Sequence, residues 1–181
     1  MKAMDENHLR RVFFALWPSD SVRDEISNIF NKSIYAASQG QVYNADNLHL
    51  TLHFLGGLTS SQLECAMRQA AQVQIEKFEL LLDGFGSFER AKILWLGPTD
   101  VPNQLTSLHA KLANALDVCD VPIESRVYRP HLTLMRKFKG FKESQVLTKV
   151  LWSVDKFALL ESISTKKGVE YRPLKFYSLG N

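Results

Sequence analysis

The tetrapeptide His-Leu-Thr-Leu occurs twice in this chain of 181 residues, at 49–52 and at 131–134. Histidine accepts or donates a proton near neutral pH, and a threonine hydroxyl donates hydrogen bonds to phosphate oxygens. In an extended strand, His49 and Thr51 project from one face about 7 Å apart, and His131 and Thr133 do the same. If the two pairs face each other, they supply an acid, a base and two hydroxyls to one phosphodiester without a metal.

Each copy of the motif also has an ordinary structural interpretation. A single histidine on an amphipathic strand is most often a half-exposed structural residue, and two such strands could resemble each other by coincidence. A zinc site formed by His49 and His53 is disfavoured, because four residues along a strand separate them by about 13 Å. We expect His53 at the rim of the site and His109 on a helix surface or partly buried.

The apolar periodicity predicts the elements that would position the two motifs. Alternating apolar residues predict strands, and apolar intervals of three and four predict helices. The predicted strands are 11–17, 48–56, 78–88, 92–97, 121–128, 131–134, 156–164 and 169–179. The predicted helices begin at a cap among Ser19, Asp20 and Ser21, begin at a Ser61–Glu64 capping box, span Leu105 to Leu116, and include Val146, Leu147, Val150 and Leu151.

The order of these elements repeats along the chain. Each half carries a motif strand followed by a helix and two more strands, which predicts a duplicated α+β unit packed about an approximate twofold axis. No Gly/Pro-rich linker separates the halves. We therefore expect residues 1–181 to form a single domain of two lobes.

Composition narrows the choice of ligand and compartment. The chain has 22 Lys and Arg against 19 Asp and Glu, a formal charge of +3, so an RNA end or a small nucleotide fits better than a long duplex. Two cysteines, Cys65 and Cys119, are too few for a dense disulfide framework and lack metal-binding spacing, which indicates a reducing compartment. We expect neither a signal peptide nor a membrane-spanning segment, and we expect a cytoplasmic monomer.

The double His-x-Thr pattern resembles that of the 2H phosphoesterases. The wider segments RVFFAL, NLHLTLHFLG, RPHLTLMRK and GVEYRPLKFYSL are similar to those of the bacterial RNA 2′,3′-cyclic phosphodiesterases, also called 2′-5′ RNA ligases. This resemblance implies a bilobal α+β fold, with two antiparallel sheets around a central cleft and helices outside. It also implies hydrolysis of a terminal 2′,3′-cyclic phosphate to a 2′-phosphate with no metal or other cofactor.

The resemblance also implies roles for the motif residues. His49, Thr51, His131 and Thr133 would form the catalytic set. His49 would protonate the departing O3′ and His131 would position or deprotonate the water, although the symmetry of the site allows the reverse assignment.

Further residues match the family pattern around the motifs. Arg136 would contact the phosphate or the base, or else be a solvated charge at a strand end. Phe13 would stack on a base, or else pack in the core. Tyr171 and Ser164 would line the cleft. Thr165 and His53 depart from the family pattern, which leaves the nucleobase contacts and the preferred substrate open.

Three functions remain open from the sequence alone. The first is RNA 2′,3′-cyclic phosphodiesterase activity, with 2′-5′ RNA ligase activity as a side reaction. The second is a nucleotide- or RNA-end-binding module with little turnover. The third is a phosphodiesterase acting on 2′-5′ oligoadenylate or on a cyclic phosphate of ADP-ribose.

Overall fold

The computed structural model describes residues 9–33, 38–140, 149–166 and 168–180. Its strands are β1 Arg10–Leu16, β2 Gln41–Val42, β3 Leu50–Leu58, β4 Phe78–Leu82, β5 Gly84–Phe88, β6 Ile93–Gly97, β7 Leu132–Arg136, β8 Val150–Val154, β9 Lys156–Thr165 and β10 Gly168–Ser178. Its helices are α1 Asp20–Lys32, α2 Ser60–Ala70 and α3 Asn103–Leu116, with short 3-10 helices at Ala45–Asn47 and Asp117–Cys119.

The two motif strands lie side by side at the centre of the larger sheet. The strand order of that sheet is β10-β9-β1-β3-β7-β6-β5, with β2 also paired to β7, and β4 and β8 form a separate two-stranded sheet. Every recorded strand pair is antiparallel. The predicted α+β class with two antiparallel sheets is confirmed.

The surroundings of the two motif strands repeat as the twofold prediction requires. Leu50 is paired with Leu132, and these two residues join β3 to β7. Leu50 also pairs with Leu16 of β1, and Leu132 also pairs with Leu96 of β6. Register shifts lie beside each motif strand, two in the pairing of β3 with β1 and one in the pairing of β7 with β6.

Helix α3 buries leucines at helical spacing and contacts β3 of the large sheet. The fully buried residues of α3 are Leu105, Leu108, Leu112 and Leu116. They belong to the same core cluster as Leu50 and Leu132, and each buried leucine contributes about 1.5–3 kcal/mol. A second, smaller cluster contains Phe13, Ala15, Ala158 and Leu160, with Trp17 and Tyr171 packed against it.

Three predicted elements differ from the structure. The 121–128 segment has neither strand nor helix. The 78–88 run is two strands that break at Asp83, whose carboxylate accepts hydrogen bonds from the backbone and hydroxyl of Thr99 at 2.7 Å each. Val150 and Leu151 belong to β8, in which alternate residues are buried, whereas Val146 and Leu147 lie outside the described residues.

The caps of the first two helices follow the predicted chemistry, with one shift in position. Ser19 caps α1 by accepting a hydrogen bond from the backbone of Val22. The capping box of α2 is formed by Thr59 and Gln62, so the Ser61–Glu64 prediction placed the start of this helix too late. Thr59 and Gln62 have the same spacing and chemistry, and spacing alone does not distinguish the two pairs.

A disulfide joins Cys65 of α2 to Cys119 of the 3-10 helix that follows α3. The sequence did not predict this pairing, because 54 residues separate the two cysteines and the packing of α2 against α3 brings them together. Disulfides are rare in reducing compartments. The disulfide therefore weakens the inference of a reducing compartment that was drawn from the number of cysteines.

Among the described helices, none is long and apolar enough to cross a membrane.

Candidate active site

The two His-Thr pairs flank the point where β3 and β7 meet. Leu50 and Leu132 are partners in the sheet, and both are fully buried in the core. Because strand residues alternate between faces, the neighbours of these leucines lie on the opposite face. Those neighbours are His49, Thr51, His131 and Thr133, and all four are half-buried. If the antiparallel register continues by one residue, the two histidines are diagonal neighbours, a relationship that separates residues by about 7–8 Å and their Cβ atoms by somewhat less.

Both histidines make the same hydrogen bond to the chain that precedes them. Nδ1 of His49 donates to the carbonyl oxygen of Asn47 at 2.6 Å, and Nδ1 of His131 donates to that of Arg129 at 2.7 Å. A carbonyl oxygen only accepts hydrogen bonds, so Nδ1 carries the proton in each neutral ring. Nε2 is therefore left with a lone pair in both rings and is the nitrogen available for proton transfer.

The His49 ring packs against two aromatic side chains that also contact each other. Its centroid lies 4.9 Å from that of Phe13 and 4.8 Å from that of Tyr171. Phe13 is only 1% exposed. The base-stacking role predicted for Phe13 does not fit this burial, and the core-packing alternative describes its position.

The His131 ring has an aromatic wall of its own. The ring of Phe88 lies edge-on to His131 with centroids 4.9 Å apart, and that of Trp95 lies 6.3 Å away. Each imidazole is therefore oriented by a backbone carbonyl and by neighbouring aromatic rings. Each side of the site thus has the same three components. These are a His-x-Thr segment, a hydrogen bond from the histidine to a preceding backbone carbonyl, and adjacent aromatic rings.

The surroundings of the two histidines favour their neutral forms. Burial, together with the positive charges of Arg23, Arg136 and protonated His131, lowers the pKa of His49 to about 4, although the hydrogen bond to Asn47 opposes this shift. Burial also lowers the pKa of His131, against the hydrogen bond to Arg129. In the free protein, both rings are therefore neutral near pH 7, and a bound anion would favour protonation of either.

Arg136 and Tyr171 are connected through a residue that the sequence analysis missed. The guanidinium of Arg136 lies over the ring of Tyr43, 5.1 Å from its centroid. The Tyr43 hydroxyl donates to the Tyr171 hydroxyl at 3.0 Å, and Tyr171 packs on His49. Tyr43 lies in a polar stretch without a motif, so local sequence carried no signal for this role.

Asn47 was also missed. It is buried, and beyond its carbonyl contact with His49 its side chain donates to the carbonyl of Val169 at 2.7 Å and accepts from the backbone of Tyr171 at 3.2 Å. Asn47 therefore connects His49 to β10 through hydrogen bonds. Its position two residues before His49 is the only local signal that could have indicated this role.

The sequence analysis placed two further residues at the site, Ser164 lining the cleft and His53 at the rim. Ser164 lies opposite Val169 near the end of the β9–β10 hairpin, and its side chain is exposed. Within the described ranges, no contact joins Ser164 to a His-Thr pair.

His53 is 1% exposed, so its predicted place at the rim is wrong. The second of the two register shifts between β1 and β3, between Phe14 and Ala15, breaks the alternation of β3 at Leu52 and turns the next side chain inward. His109 is half-buried as predicted.

Within the part of the chain that the structure describes, no group of three or more His, Cys, Asp or Glu side chains is placed to hold a metal ion. The face that carries the two His-Thr pairs offers two imidazoles and two hydroxyls, with the guanidinium of Arg136 nearby. Such a set can transfer protons to and from a phosphodiester and hold its anionic oxygens.

Comparisons with known proteins agree with this chemistry. The 2′-5′ RNA ligase superfamily matches residues 18–165. The RNA 2′,3′-cyclic phosphodiesterase of Escherichia coli is 28% identical over 178 residues, which cover 94% of this chain and 97% of that protein. The enzyme of the same name from Methanothermobacter thermautotrophicus is 30% identical over 150 residues, covering 78% of each chain. The crystal structure of E. coli LigT in apo form superposes with a TM-score of 0.84 at 27% identity, covering 97% of this chain and 100% of that one. This chain belongs to the 2′-5′ RNA ligase superfamily.

Proposed function

We propose that this protein hydrolyses the 2′,3′-cyclic phosphate at the end of an RNA chain to a 2′-phosphate. The observation that carries the proposal is the matched pair of imidazoles beside the Leu50–Leu132 contact. In each ring Nδ1 donates a hydrogen bond to a backbone carbonyl, and Nε2 is available for proton transfer. The relatives named RNA 2′,3′-cyclic phosphodiesterase support the choice of substrate.

In the proposed reaction, one imidazole accepts a proton from water as the water oxygen attacks phosphorus. The bond from phosphorus to O3′ then breaks, and the other imidazole, in its protonated form, donates its proton to O3′. The products are a 2′-phosphate and a free 3′-hydroxyl. Thr51 and Thr133 donate hydrogen bonds to the non-bridging oxygens as their negative charge increases.

The pKa of His49, lowered to about 4 in the free chain, disfavours His49 as the ring that holds the proton, and we therefore assign the proton to His131. This is the reverse of the assignment that the family resemblance implied. Bound phosphate raises the pKa of both rings, and the assignment therefore needs the leaving-group test described in the Discussion.

Ligand contacts outside the His-Thr pairs are also part of the proposal. Arg136 would bind the phosphate or the adjoining nucleotide, with its guanidinium held beside Tyr43, and Tyr171 would line the cleft next to His49. A structure of E. coli LigT complexed with 3′-AMP supports a cleft that accepts a mononucleotide as well as an RNA end. Ser164 remains a predicted cleft residue without contacts that support it.

A 5′-hydroxyl of RNA in place of water would give a 2′-5′ phosphodiester by the same displacement of O3′. We propose this ligation as a side reaction. We also propose that residues 1–181 act as one domain of two lobes, as a monomer and in the cytoplasm. Light scattering coupled to size-exclusion chromatography would show a mass other than 20.6 kDa if the monomer proposal is wrong.

The experiment that tests the proposed activity uses an oligonucleotide with a 2′,3′-cyclic phosphate end in the presence of EDTA. We expect a 2′-phosphate product, identified by its phosphorus NMR signal. Absence of any phosphomonoester would contradict the proposal. Tight binding of 3′-AMP without turnover would instead indicate a nucleotide-binding module.

A further inference from the structure

Three stacked rings lie beside the motif strands and have no part in the proposed proton transfers. The ring of His53 stacks on that of His109 with centroids 4.0 Å apart, and the ring of His109 stacks on that of Tyr128 at 3.9 Å. The stack joins β3, α3 and the irregular 121–130 segment. At its outer end, the Tyr128 hydroxyl donates a hydrogen bond to the carbonyl oxygen of Thr51 at 3.3 Å.

The inner end of the stack is fixed by burial and by one hydrogen bond. Nε2 of His53 donates to the carbonyl of His109 at 2.8 Å, which leaves Nδ1 of the neutral ring without a proton. Nδ1 is buried and has no hydrogen-bond partner among the described residues. Burial lowers the pKa of His53 and lowers that of His109 to about 4, although the negative charge of Glu124 opposes both shifts. Both imidazoles are therefore neutral near pH 7 and stack without charge repulsion.

Tyr128 links the two motifs through its position in the chain. It immediately precedes Arg129, whose carbonyl orients His131, and its hydroxyl contacts Thr51 of the other motif. Backbone pairing between β3 and β7 is recorded at a single residue pair. The Tyr128 hydrogen bond is thus a second connection between the segment that leads into His131 and the strand that carries Thr51.

We propose that Tyr128 is a positioning residue that sets the separation of the two His-Thr pairs, with the rings of His109 and His53 holding it in place. The inference rests on the proposed function, because this separation matters where both imidazoles act on one phosphoryl group. Reacting groups must approach to roughly 3–3.5 Å, and a misplacement of about 1 Å can lower a rate by about 10²-fold.

The test removes the hydroxyl and keeps the ring, with Tyr128→Phe. The chain offers a matched control, because the Tyr177 hydroxyl also donates to a backbone carbonyl, that of Met67, at 3.3 Å. Tyr177 packs on Phe14 and Phe157, away from both motifs. On 2′,3′-cyclic AMP we expect Tyr128→Phe to lower kcat roughly tenfold with KM within about twofold, which is the pattern of a lost transition-state interaction. Tyr177→Phe should retain the kcat of the unaltered chain, with a similar change in Tm.

A background without His131 separates positioning from a general structural effect. If Tyr128 acts by placing His131, then Tyr128→Phe should cause little further loss of activity in a His131→Ala chain, because coupled residues are not additive. An unchanged kcat in Tyr128→Phe would overturn the proposal. Equal losses of kcat in the two tyrosine variants, or an undiminished loss in the His131→Ala background, would do the same.

A second readout does not depend on turnover. The imidazole NMR resonances of His131 should shift or broaden in Tyr128→Phe and should not change in Tyr177→Phe. Unchanged His131 resonances in both variants would overturn the positioning role. If the unaltered chain shows no hydrolysis of the cyclic nucleotide while the His131 resonances respond as expected, the proposed function fails and the positioning contact stands.

Discussion

The hydroxyl of Tyr43 donates to the hydroxyl of Tyr171 at 3.0 Å, and this hydrogen bond connects the residue beneath Arg136 with the residue that packs on His49. Tyr43 is itself held to the second motif strand, because its backbone N–H donates to the carbonyl of Leu134 at 2.8 Å. The ring that supports the first histidine is thus connected to the strand that carries the second.

Tyr43→Phe removes this hydrogen bond and keeps the ring beneath Arg136. A hydrogen bond of this kind contributes about 0.5–1.5 kcal/mol, so we expect kcat/KM for 2′,3′-cyclic AMP to fall roughly 2- to 13-fold. Steady-state kinetics measure the change. A Tyr43→Phe chain with unaltered kcat/KM would show that Tyr171 is held without Tyr43.

Reduction of the Cys65–Cys119 disulfide should destabilise the fold. Opening a link across 54 residues of chain raises the entropy of the unfolded state, and we expect a loss of about 2–4 kcal/mol in the free energy of unfolding. Urea unfolding with and without dithiothreitol measures this difference. A chain with both cysteines changed to serine is the control and should not respond to the reductant. Two free thiols in the unreduced protein, found by titration, would show that the link does not form.

The pH dependence of kcat/KM follows from the depressed pKa values of the two histidines. In the free protein one imidazole must be neutral and the other protonated, and both pKa values lie below 6.5, with that of His49 at about 4. We therefore expect a bell-shaped profile in which both apparent pKa values lie below 6.5 and belong to the pair. Activity should decline as pH rises above that range. A basic limb that begins above about pH 7.5 would contradict this prediction.

The same pKa shift predicts the direction of a stability change. Because the folded pKa of His49 is about 4 and the unfolded value is 6.5, the unfolded chain binds more protons between these values. The free energy of unfolding should therefore fall as pH decreases from 6.5 towards 4. Urea unfolding across this pH range, for the unaltered chain and for His49→Gln, measures the part of this change that His49 contributes. If the free energy of unfolding changed equally with pH in the two chains, the prediction would be contradicted.

A sulfur leaving group distinguishes the acid from the base. A cyclic phosphate with sulfur in place of O3′ needs little protonation to depart, because thiolates are more stable anions than alkoxides. We expect this analogue to restore activity to His131→Ala and to leave His49→Ala slow. The opposite pattern would assign the acid role to His49, as the family resemblance implied.

The sequence predicted those features of the molecule that depend on local pattern. Alternation in the two HLTL segments placed the motif strands, and their repetition predicted the duplicated unit whose centre is the Leu50–Leu132 pair. The spacing of α3 likewise predicted its buried leucines.

The missed features depend on contacts between distant parts of the chain. His53 was placed at the rim because an ideal strand alternates, whereas the register shift against β1 turns it inward. Tyr43, Asn47 and the Cys65–Cys119 link acquire their roles from partners that are remote in sequence. The 121–128 segment has the alternation of a strand but forms none, and Tyr128 instead contacts Thr51.

The central claim is that His49 and His131 act on the same phosphorus atom. The most direct test compares kcat/KM for a cyclic-phosphate oligonucleotide, in EDTA, among the unaltered chain, His49→Ala, His131→Ala and the double variant. We predict that each single change lowers the rate roughly 10²- to 10⁴-fold and that the double variant is little worse than either, because the two rings act as a unit. Unaltered rates in either single variant, or fully multiplicative losses in the double variant, would contradict the claim.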